Sequence, residues 1–289
     1  MTASAARHRP AGGDDLAAFA RLVDALRPWL GQLVVVGGWA HRLHRLHPDA
    51  RVPAYQALRT RDADLALPTA PPLTGDIGAA LRAAGFREEF SSDHRPPVTQ
   101  YRLGDEGEAP GFYAEFLAPL RGSGVRRDGT EDATVARGGV TAQRLRHVDL
   151  LLVRPWSVRL DAAAGVPLIA PAEVRVANPV AFVAQKLLIH AARPPAKQAQ
   201  DALYVHDTLE LFAPALPALA AEWRDGVRLT LPARTARLIE RHARERYAAV
   251  TDVLRVAARI PQDRALSAER LRAVCAYGLG VLFGDAAPG

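Results

Sequence analysis

Two aspartates separated by one residue, Asp62 and Asp64, are the side chains of this sequence best placed for metal chemistry. They lie in residues 59–67, where polar and apolar residues alternate before Pro68, and this alternation predicts a β-strand. Side chains two positions apart in a strand point to the same face, so the two carboxylates emerge side by side. Such a pair repels itself unless a cation lies between the carboxylates, and Mg²⁺ prefers oxygen ligands of this kind. An isolated Asp-x-Asp pair is more often a pair of solvated surface acids.

A pair of glycines, Gly37 and Gly38, could bind phosphate near these acids. The pair follows the apolar, β-branched run at residues 33–36, which predicts a buried strand, and precedes a segment with apolar residues at helical spacing. The unit is therefore strand, glycine turn and helix. Backbone N–H groups at such a turn can meet a triphosphate because no Cβ stands in the way.

A third carboxylate, Glu115, lies in another predicted strand, at residues 112–120. Phe112, Ala114 and Phe116 alternate there with Glu115 and its same-face neighbours, as in a half-buried strand. Glu115 is thus available to complete a metal site with the aspartate pair.

Taken in order, these motifs resemble the polymerase-beta-type nucleotidyltransferase superfamily, particularly its small bacterial members and the nucleotidyltransferase-like toxins of toxin–antitoxin systems. The resemblance rests on Leu-Val-Val-Val-Gly-Gly-Trp-Ala-x-Arg-Leu at residues 33–43, Arg-Thr-x-Asp-x-Asp-Leu at residues 59–65, and the acidic residue in the later strand. It covers residues 33–120 and extends more faintly to about residue 212. It implies transfer of a nucleoside monophosphate from an NTP to a hydroxyl acceptor, with release of pyrophosphate. Asp62, Asp64 and Glu115 would be the catalytic residues and the ligands of Mg²⁺ or Mn²⁺.

The resemblance also implies a set of residues that contact the nucleotide, namely Gly37, Gly38, Arg42, Thr60, Lys186 and Arg193. The glycines would hold the β and γ phosphates, while Arg42 and Lys186 would neutralise the departing pyrophosphate. The family's usual turn is Gly-Ser, whereas here Trp39 follows the glycines. Because the serine of the family's turn is missing here, the alternative to an active enzyme is a catalytically inactive nucleotide-binding or partner-binding module with the same fold. The acceptor stays open among RNA, a protein and a small molecule.

The basic residues downstream belong to a helix that we expect to start at Asn178-Pro179, a favoured cap and first-turn pair. Lys186, His190 and Arg193 fall at i, i+4 and i+7, which places them on one helix face. That face could point at the aspartate pair, or it could be a solvated basic surface.

The surrounding elements predict an α+β protein with a nucleotidyltransferase-type mixed sheet and flanking helices, followed by a helical C-terminal domain. We place the α/β domain at residues 15–172 and the helical domain at residues 178–285. Apolar spacing predicts helices at residues 15–30 and 77–84, and strands at residues 98–103 and 150–160. An acidic hairpin loop is expected at residues 104–111, and a mobile loop or hairpin at residues 121–146.

Composition narrows the class of protein without naming a function. The 289 residues are 49% hydrophobic and 24% charged, as in globular proteins, and the net charge is +6. That charge would suit a polyanion such as RNA, although a preference for Arg over Lys also arises from GC-rich coding. His41, His44 and His47 recur every three residues, but without a carboxylate at ligand spacing a solvated or capping role is favoured over zinc binding.

Cysteine content and apolar runs indicate the compartment. The one cysteine, Cys275, allows no intrachain disulfide, which suits a reducing environment. No run of about 18 apolar residues predicts a membrane span. We therefore expect a cytoplasmic protein with no membrane contact, while its oligomeric state stays open.

Overall fold

The computed structural model describes residues 12–104, 111–125 and 129–284. Its strands are β1 (Val34–Val36), β2 (Asp62–Ala66), β3 (Arg87–Ser91), β4 (Val98–Arg102), β5 (Tyr113–Pro119), β6 (Thr134–Arg137), β7 (Val140–Leu145), β8 (Trp156–Leu160) and β9 (Ala172–Val176). Its α-helices are α1 (Gly12–Ala25), α2 (Gly37–Leu43), α3 (Ile77–Ala83), α4 (Val148–Leu151), α5 (Pro179–Ile189), α6 (Pro195–Leu211), α7 (Leu216–Asp225), α8 (Ala233–Glu245), α9 (Asp252–Ala258) and α10 (Ala268–Phe283).

One mixed sheet organises the first part of the chain, with strand order β3-β4-β5-β2-β1-β9-β8 and the β6-β7 hairpin joined to β5. At its centre β2 pairs antiparallel with β1 and parallel with β5. Helices flank the sheet and a group of helices follows it. The predicted α+β class with a mixed sheet and C-terminal helices is therefore confirmed.

The two faces of the central strands pack against different helices. Val35 and Leu65 belong to a core that includes Phe19 and Trp39, from α1 and α2. Val34, Val36 and Ala66 belong to a smaller core with residues of α4. Because side chains alternate along β2, Asp62 and Asp64 emerge on the second face, away from α1.

The C-terminal helices form a second core centred on α5, whose apolar side chains are nearly all buried. The helix starts as expected: the Asn178 side chain accepts a hydrogen bond of 2.8 Å from the Ala181 N–H, and Pro179 occupies the first turn. Asn178 also donates to the carbonyls of Val153 and Arg154, which fixes α5 to the segment between α4 and β8.

The structure departs from the predicted elements where local sequence signals are weak. Strand β3 has mostly half-exposed side chains and no clear alternation, and it was not predicted. Residues 150–160 are not one strand, because their apolar start belongs to α4 and only the later part forms β8. Within residues 121–146 the hairpin alternative holds for β6 and β7, which are joined at Gly138 and Gly139, both with positive φ.

Strand β9 ends at Val176 and pairs parallel with β1.

The division into domains at residues 15–172 and 178–285 stays a prediction. Of the predicted hairpin loop at 104–111, residues 105–110 lie outside the described part of the chain. Across the ranges that the structure describes, none of the helices has the length and apolar character needed to cross a membrane.

Candidate active site

Three carboxylates lie together on neighbouring strands. In the parallel pairing of β2 with β5, Asp64 is directly opposite Glu115, and Asp62 is two residues away on the same face of β2. All three line one cavity of about 550 Å³. The structure therefore brings the three predicted acids together, with Glu115 in the expected register.

The crowding of these acids changes their proton affinity. Burial, followed by the charges of Asp62 and Glu115, raises the pKa of Asp64 to about 8, while Lys186 and Arg193 oppose the shift. Burial also raises the pKa of Glu115, against a hydrogen bond from the Gln100 amide that lowers it. A divalent cation would relieve this repulsion. The donors are all oxygens, the set that fits Mg²⁺ or Mn²⁺.

Gly37 makes room for one of the acids. Its φ is +62°, in the left-handed region that favours glycine, and a Cβ built there would overlap the Asp64 carboxylate. Gly38 has a different neighbourhood, since its Cβ would lie 2.7 Å from both the Thr60 methyl group and the Tyr204 hydroxyl. The glycines thus let the first turn of α2 approach β2 and α6 closely.

Thr60 is placed as a partner of the acids. Its side chain is almost buried, and its hydroxyl donates a hydrogen bond to the Asp62 carboxylate. The predicted nucleotide contact is untested, but the observed contact positions Asp62.

Lys186 reaches the same cavity and is held on several sides. Its ammonium donates to Asp201 over 2.6 Å, and its Nζ lies 5.4 Å and 5.3 Å from the ring centroids of Phe182 and Tyr204. The Lys186 side chain is 9% exposed and that of Asp201 2%. Lys186 is therefore part of a buried ion pair, and the alternative of a solvated basic surface is wrong for this residue.

Arg193 joins the same ion pair from beyond α5. The helix ends at Ile189, so Arg193 does not continue the predicted helix face. Its Nε nevertheless lies 3.3 Å from the second oxygen of Asp201, and its side chain lines the cavity.

Arg42 is not brought to the acids, which corrects its predicted place at the phosphates. It lines a different cavity of about 290 Å³, and its guanidinium lies 4.9 Å from the centroid of the Trp39 ring. Trp39 is fully buried against Phe19 of α1, with ring centroids 4.0 Å apart. Arg42 follows three residues later, on the same side of α2, and so turns away from the acidic face.

Two residues that contact the site, Gln100 and Tyr204, gave no local sequence signal. Gln100 reaches Glu115 because β4 pairs with β5, and Tyr204 reaches the glycine turn from α6. The cavity wall includes further charged side chains from the β3-β4 connection, from the β6-β7 hairpin with its flanking segments, and from α6, namely His94, Glu131, Arg144, Arg146 and Lys197. These contacts depend on sheet and helix packing, which no short motif encodes.

The histidine series packs in the core. His41 and His44 are fully buried, and burial lowers their pKa values to about 3 and about 4. His44 donates to the Ala177 carbonyl over 2.7 Å, and His47 stacks on Trp156 with centroids 3.9 Å apart. The solvated or capping role expected for this series is therefore wrong for His41 and His44, whereas the half-buried His47 accepts a hydrogen bond of 3.2 Å from the Asp49 N–H after the helical turn.

A different group, His206, Asp207 and Glu210, is close enough to hold a metal ion. Asp207 already has Arg264 at 2.5 Å, and Glu210 has Arg270 at 3.1 Å. These carboxylates are neutralised by arginines, unlike the acids of the cavity.

A family model described as "Nucleotidyltransferase" matches residues 14–228. The match includes the whole sheet and the helices from α5 to α7, and it ends before α8. No curated protein matches the sequence, and no solved structure does so either.

The raised pKa of Asp64 predicts how pH affects the metal-free protein. The folded state binds a proton at Asp64 more tightly than the unfolded state, so stability falls as pH rises from about 4 to about 8. Asp64→Asn removes this loss, and we expect it to stabilise the metal-free protein above pH 8 by up to about 5 kcal/mol, since each unit of pKa shift is worth about 1.4 kcal/mol. Thermal melts in EDTA across this pH range measure the effect. Asp225→Asn, at an exposed aspartate, is the matched control. Equal pH dependence for wild type and Asp64→Asn would contradict the raised pKa.

The buried ion pair predicts the cost of losing Lys186. Lys186→Met leaves Asp201 buried with only Arg193 nearby, and we expect a loss of about 3 kcal/mol in the free energy of unfolding, at the lower end for a broken buried pair. Lys197→Met, an exposed lysine of the same cavity, should cost less than about 0.5 kcal/mol.

The double variant Lys186→Met/Asp201→Leu removes both charges of the pair and should recover most of the lost stability. Chemical denaturation of wild type and the variants measures all these changes. A double variant no more stable than Lys186→Met would show that the pair is not what stabilises this region.

Proposed function

Since the chain belongs to the nucleotidyltransferase family, we propose that it transfers a nucleoside monophosphate from an NTP to a hydroxyl group, with release of pyrophosphate. The observation that carries the proposal is the grouping of three carboxylates with two cationic side chains around one cavity of about 550 Å³. Acids on one side suit a metal-bound nucleotide, and cations on the other suit its phosphates.

Asp62, Asp64 and Glu115 would hold Mg²⁺ or Mn²⁺. The bound metal would supply Lewis acidity at the phosphate oxygens. Thr60 orients Asp62 through its hydroxyl, and Gln100 orients Glu115 through its amide. These donors fix the carboxylates before substrate arrives, which lowers the cost of assembling the site.

In the proposed step, the acceptor oxygen forms a bond to the α-phosphorus, and the bond from that phosphorus to the oxygen bridging to the β-phosphate breaks. Glu115 would either complete the site of the metal ion or take the proton of the acceptor hydroxyl as the base, and burial, which raises its pKa in the metal-free protein, suits the second role. Pyrophosphate leaves with the electrons of the broken bond.

Lys186 and Arg193 neutralise the pyrophosphate as it forms. Asp201 and two aromatic faces fix the Lys186 ammonium, so little side-chain freedom is lost when phosphate binds. Arg193 keeps about a third of its side chain exposed and can therefore meet a ligand. Gly37 lines the cavity beside Asp64, which supports a backbone contact to phosphate there.

The inactive binding module stays the alternative function. The residue that suggested it, Trp39, has a structural role in the core. Trp39 packs against α1, on the face of the central sheet away from the acids. The bulky residue therefore does not block the cavity. The cytoplasmic location and the link to toxin–antitoxin systems stay predictions.

Replacement of the aspartates tests the proposal. We expect wild type to release pyrophosphate from an NTP only with Mg²⁺ or Mn²⁺, and Asp62→Asn/Asp64→Asn to lose at least about a hundredfold of that rate. A coupled pyrophosphate assay with each NTP and a cell extract as acceptor source measures it. Asp225→Asn/Asp252→Asn, at two exposed aspartates, is the matched control. Metal-dependent NTP binding without pyrophosphate release would instead support the binding module.

A further inference from the structure

Helix α8 presents a row of arginines to solvent. Arg234, Arg237, Arg241 and Arg244 recur at i, i+3, i+7 and i+10, which places them on one helix face, and all four are exposed. The opposite face is buried in the second core through Ala236, Ile239 and Ala243. We call the row of four arginines the α8 arginine face.

The α8 arginine face lacks compensating charge. Within the described residues, Arg234, Arg237 and Arg244 have no carboxylate partner, and Arg241 reaches Glu245 only at 4.0 Å. The other acid of the helix, Glu240, lies at the edge of the face, but its carboxylate pairs with Arg228 at 2.9 Å. Like charges three or four residues apart on a helix repel each other and destabilise it. A bound anionic partner would relieve this repulsion among the arginines of the face.

The distribution of apolar and charged side chains on α8 indicates which class of partner fits the face. A membrane surface would need a wide apolar face beside the cations, but the apolar side of α8 is buried in the core, and the half-buried Leu238 is the one large apolar side chain of this helix beside the arginines. A protein interface would need an apolar or aromatic centre, whereas the face itself consists of guanidinium groups. Interfaces with nucleic acid are polar and strongly positive. The face extends about 15 Å along the helix, the length of about four phosphates of one strand.

Helix α8 contacts α5, the helix that contributes Lys186 to the cavity. The His242 ring donates to the Leu187 carbonyl over 3.1 Å, and Leu187 directly follows Lys186. Arg246, next after the helix, lies 3.2 Å from the same ring. Helix α8 therefore packs directly on the helix that carries the phosphate-binding lysine of the proposed reaction.

We propose that the α8 arginine face binds the phosphate backbone of RNA and that the hydroxyl acceptor is RNA. The acceptor part rests on the proposed function, whereas RNA binding does not. RNA offers a hydroxyl on each ribose as well as at its end, so it provides the group that the reaction consumes. Because the family match ends at residue 228, α8 is a property of this chain beyond the matched region.

Binding to a fluorescent single-stranded RNA of mixed sequence tests the proposal directly. The variant carries Gln at the four positions, as Arg234→Gln/Arg237→Gln/Arg241→Gln/Arg244→Gln. We expect it to bind at least about tenfold more weakly. The slope of log affinity against log salt should fall by about 3, since each phosphate contact on a single strand contributes about 0.7. Fluorescence anisotropy over a salt series measures both quantities.

A control variant has the same change in net charge at exposed arginines outside the face, with Gln replacing Arg21, Arg51, Arg159 and Arg259. It should bind RNA like wild type. Equal loss in the two variants would show a response to net charge alone and would overturn the inference. The inference would also fail if wild type did not bind the RNA. Circular dichroism and thermal melts confirm that both variants are folded.

The acceptor is tested with an α-labelled NTP in a mixture of RNA, single-stranded DNA of the same sequence, and extract protein. Label on RNA, reduced in the α8 variant and not in the control, is the expected result. Label on protein, or equal label on DNA, would overturn RNA as the acceptor while leaving the proposed transfer intact. No label on any component, with RNA binding still dependent on α8, would overturn RNA as the acceptor but not RNA binding, and pyrophosphate release with a cell extract would then show whether the proposed transfer itself holds.

Discussion

The repulsion among three carboxylates on adjacent strands is the constraint on which the rest of the site depends. Asp64 and Glu115 are register partners in the centre of a sheet, and Asp62 shares their face. Burial and mutual charge raise the pKa of Asp64 to about 8, so the site is unfavourable as a trianion. Hydrogen bonds from Thr60 and Gln100, and the nearby cations, only partly offset this cost. A divalent cation bound by the three carboxylates best explains an arrangement with this cost.

The same constraint accounts for the helices that follow the sheet. The acids occupy the face of the sheet opposite α1, and α5 brings Lys186 to that face together with its buried partner Asp201. Asp201 lies on α6, so the cation is fixed by two helices of the second core. A cation placed in this way can meet phosphate without first giving up hydration, because burial has already removed most of its water. The sheet supplies the acids, and the second core supplies the charges opposite them.

The sequence predicted those parts of the site that depend on local pattern. Alternation placed Asp62, Asp64 and Glu115 on one face, the glycine pair marked the start of α2, and Asn178 marked the cap of α5. It failed where a long-range contact decides the outcome. Arg42 had the correct spacing in the chain, but the burial of Trp39 turned that side of α2 away from the acids. The pairing of Lys186 with Asp201, and the approach of Tyr204 to Gly38, depend on how α5 and α6 pack. No short pattern contains that information.

Anomalous diffraction from crystals grown with Mn²⁺ and a non-hydrolysable NTP analogue tests the central claim most directly. The account predicts Mn²⁺ bound to the carboxylate oxygens of Asp62 and Asp64 at roughly 2.0–2.2 Å, with Glu115 beside it. The triphosphate should extend toward Lys186 and Arg193. Mn²⁺ at His206, Asp207 and Glu210 with none at the three acids, or a nucleotide bound outside this cavity, would contradict it.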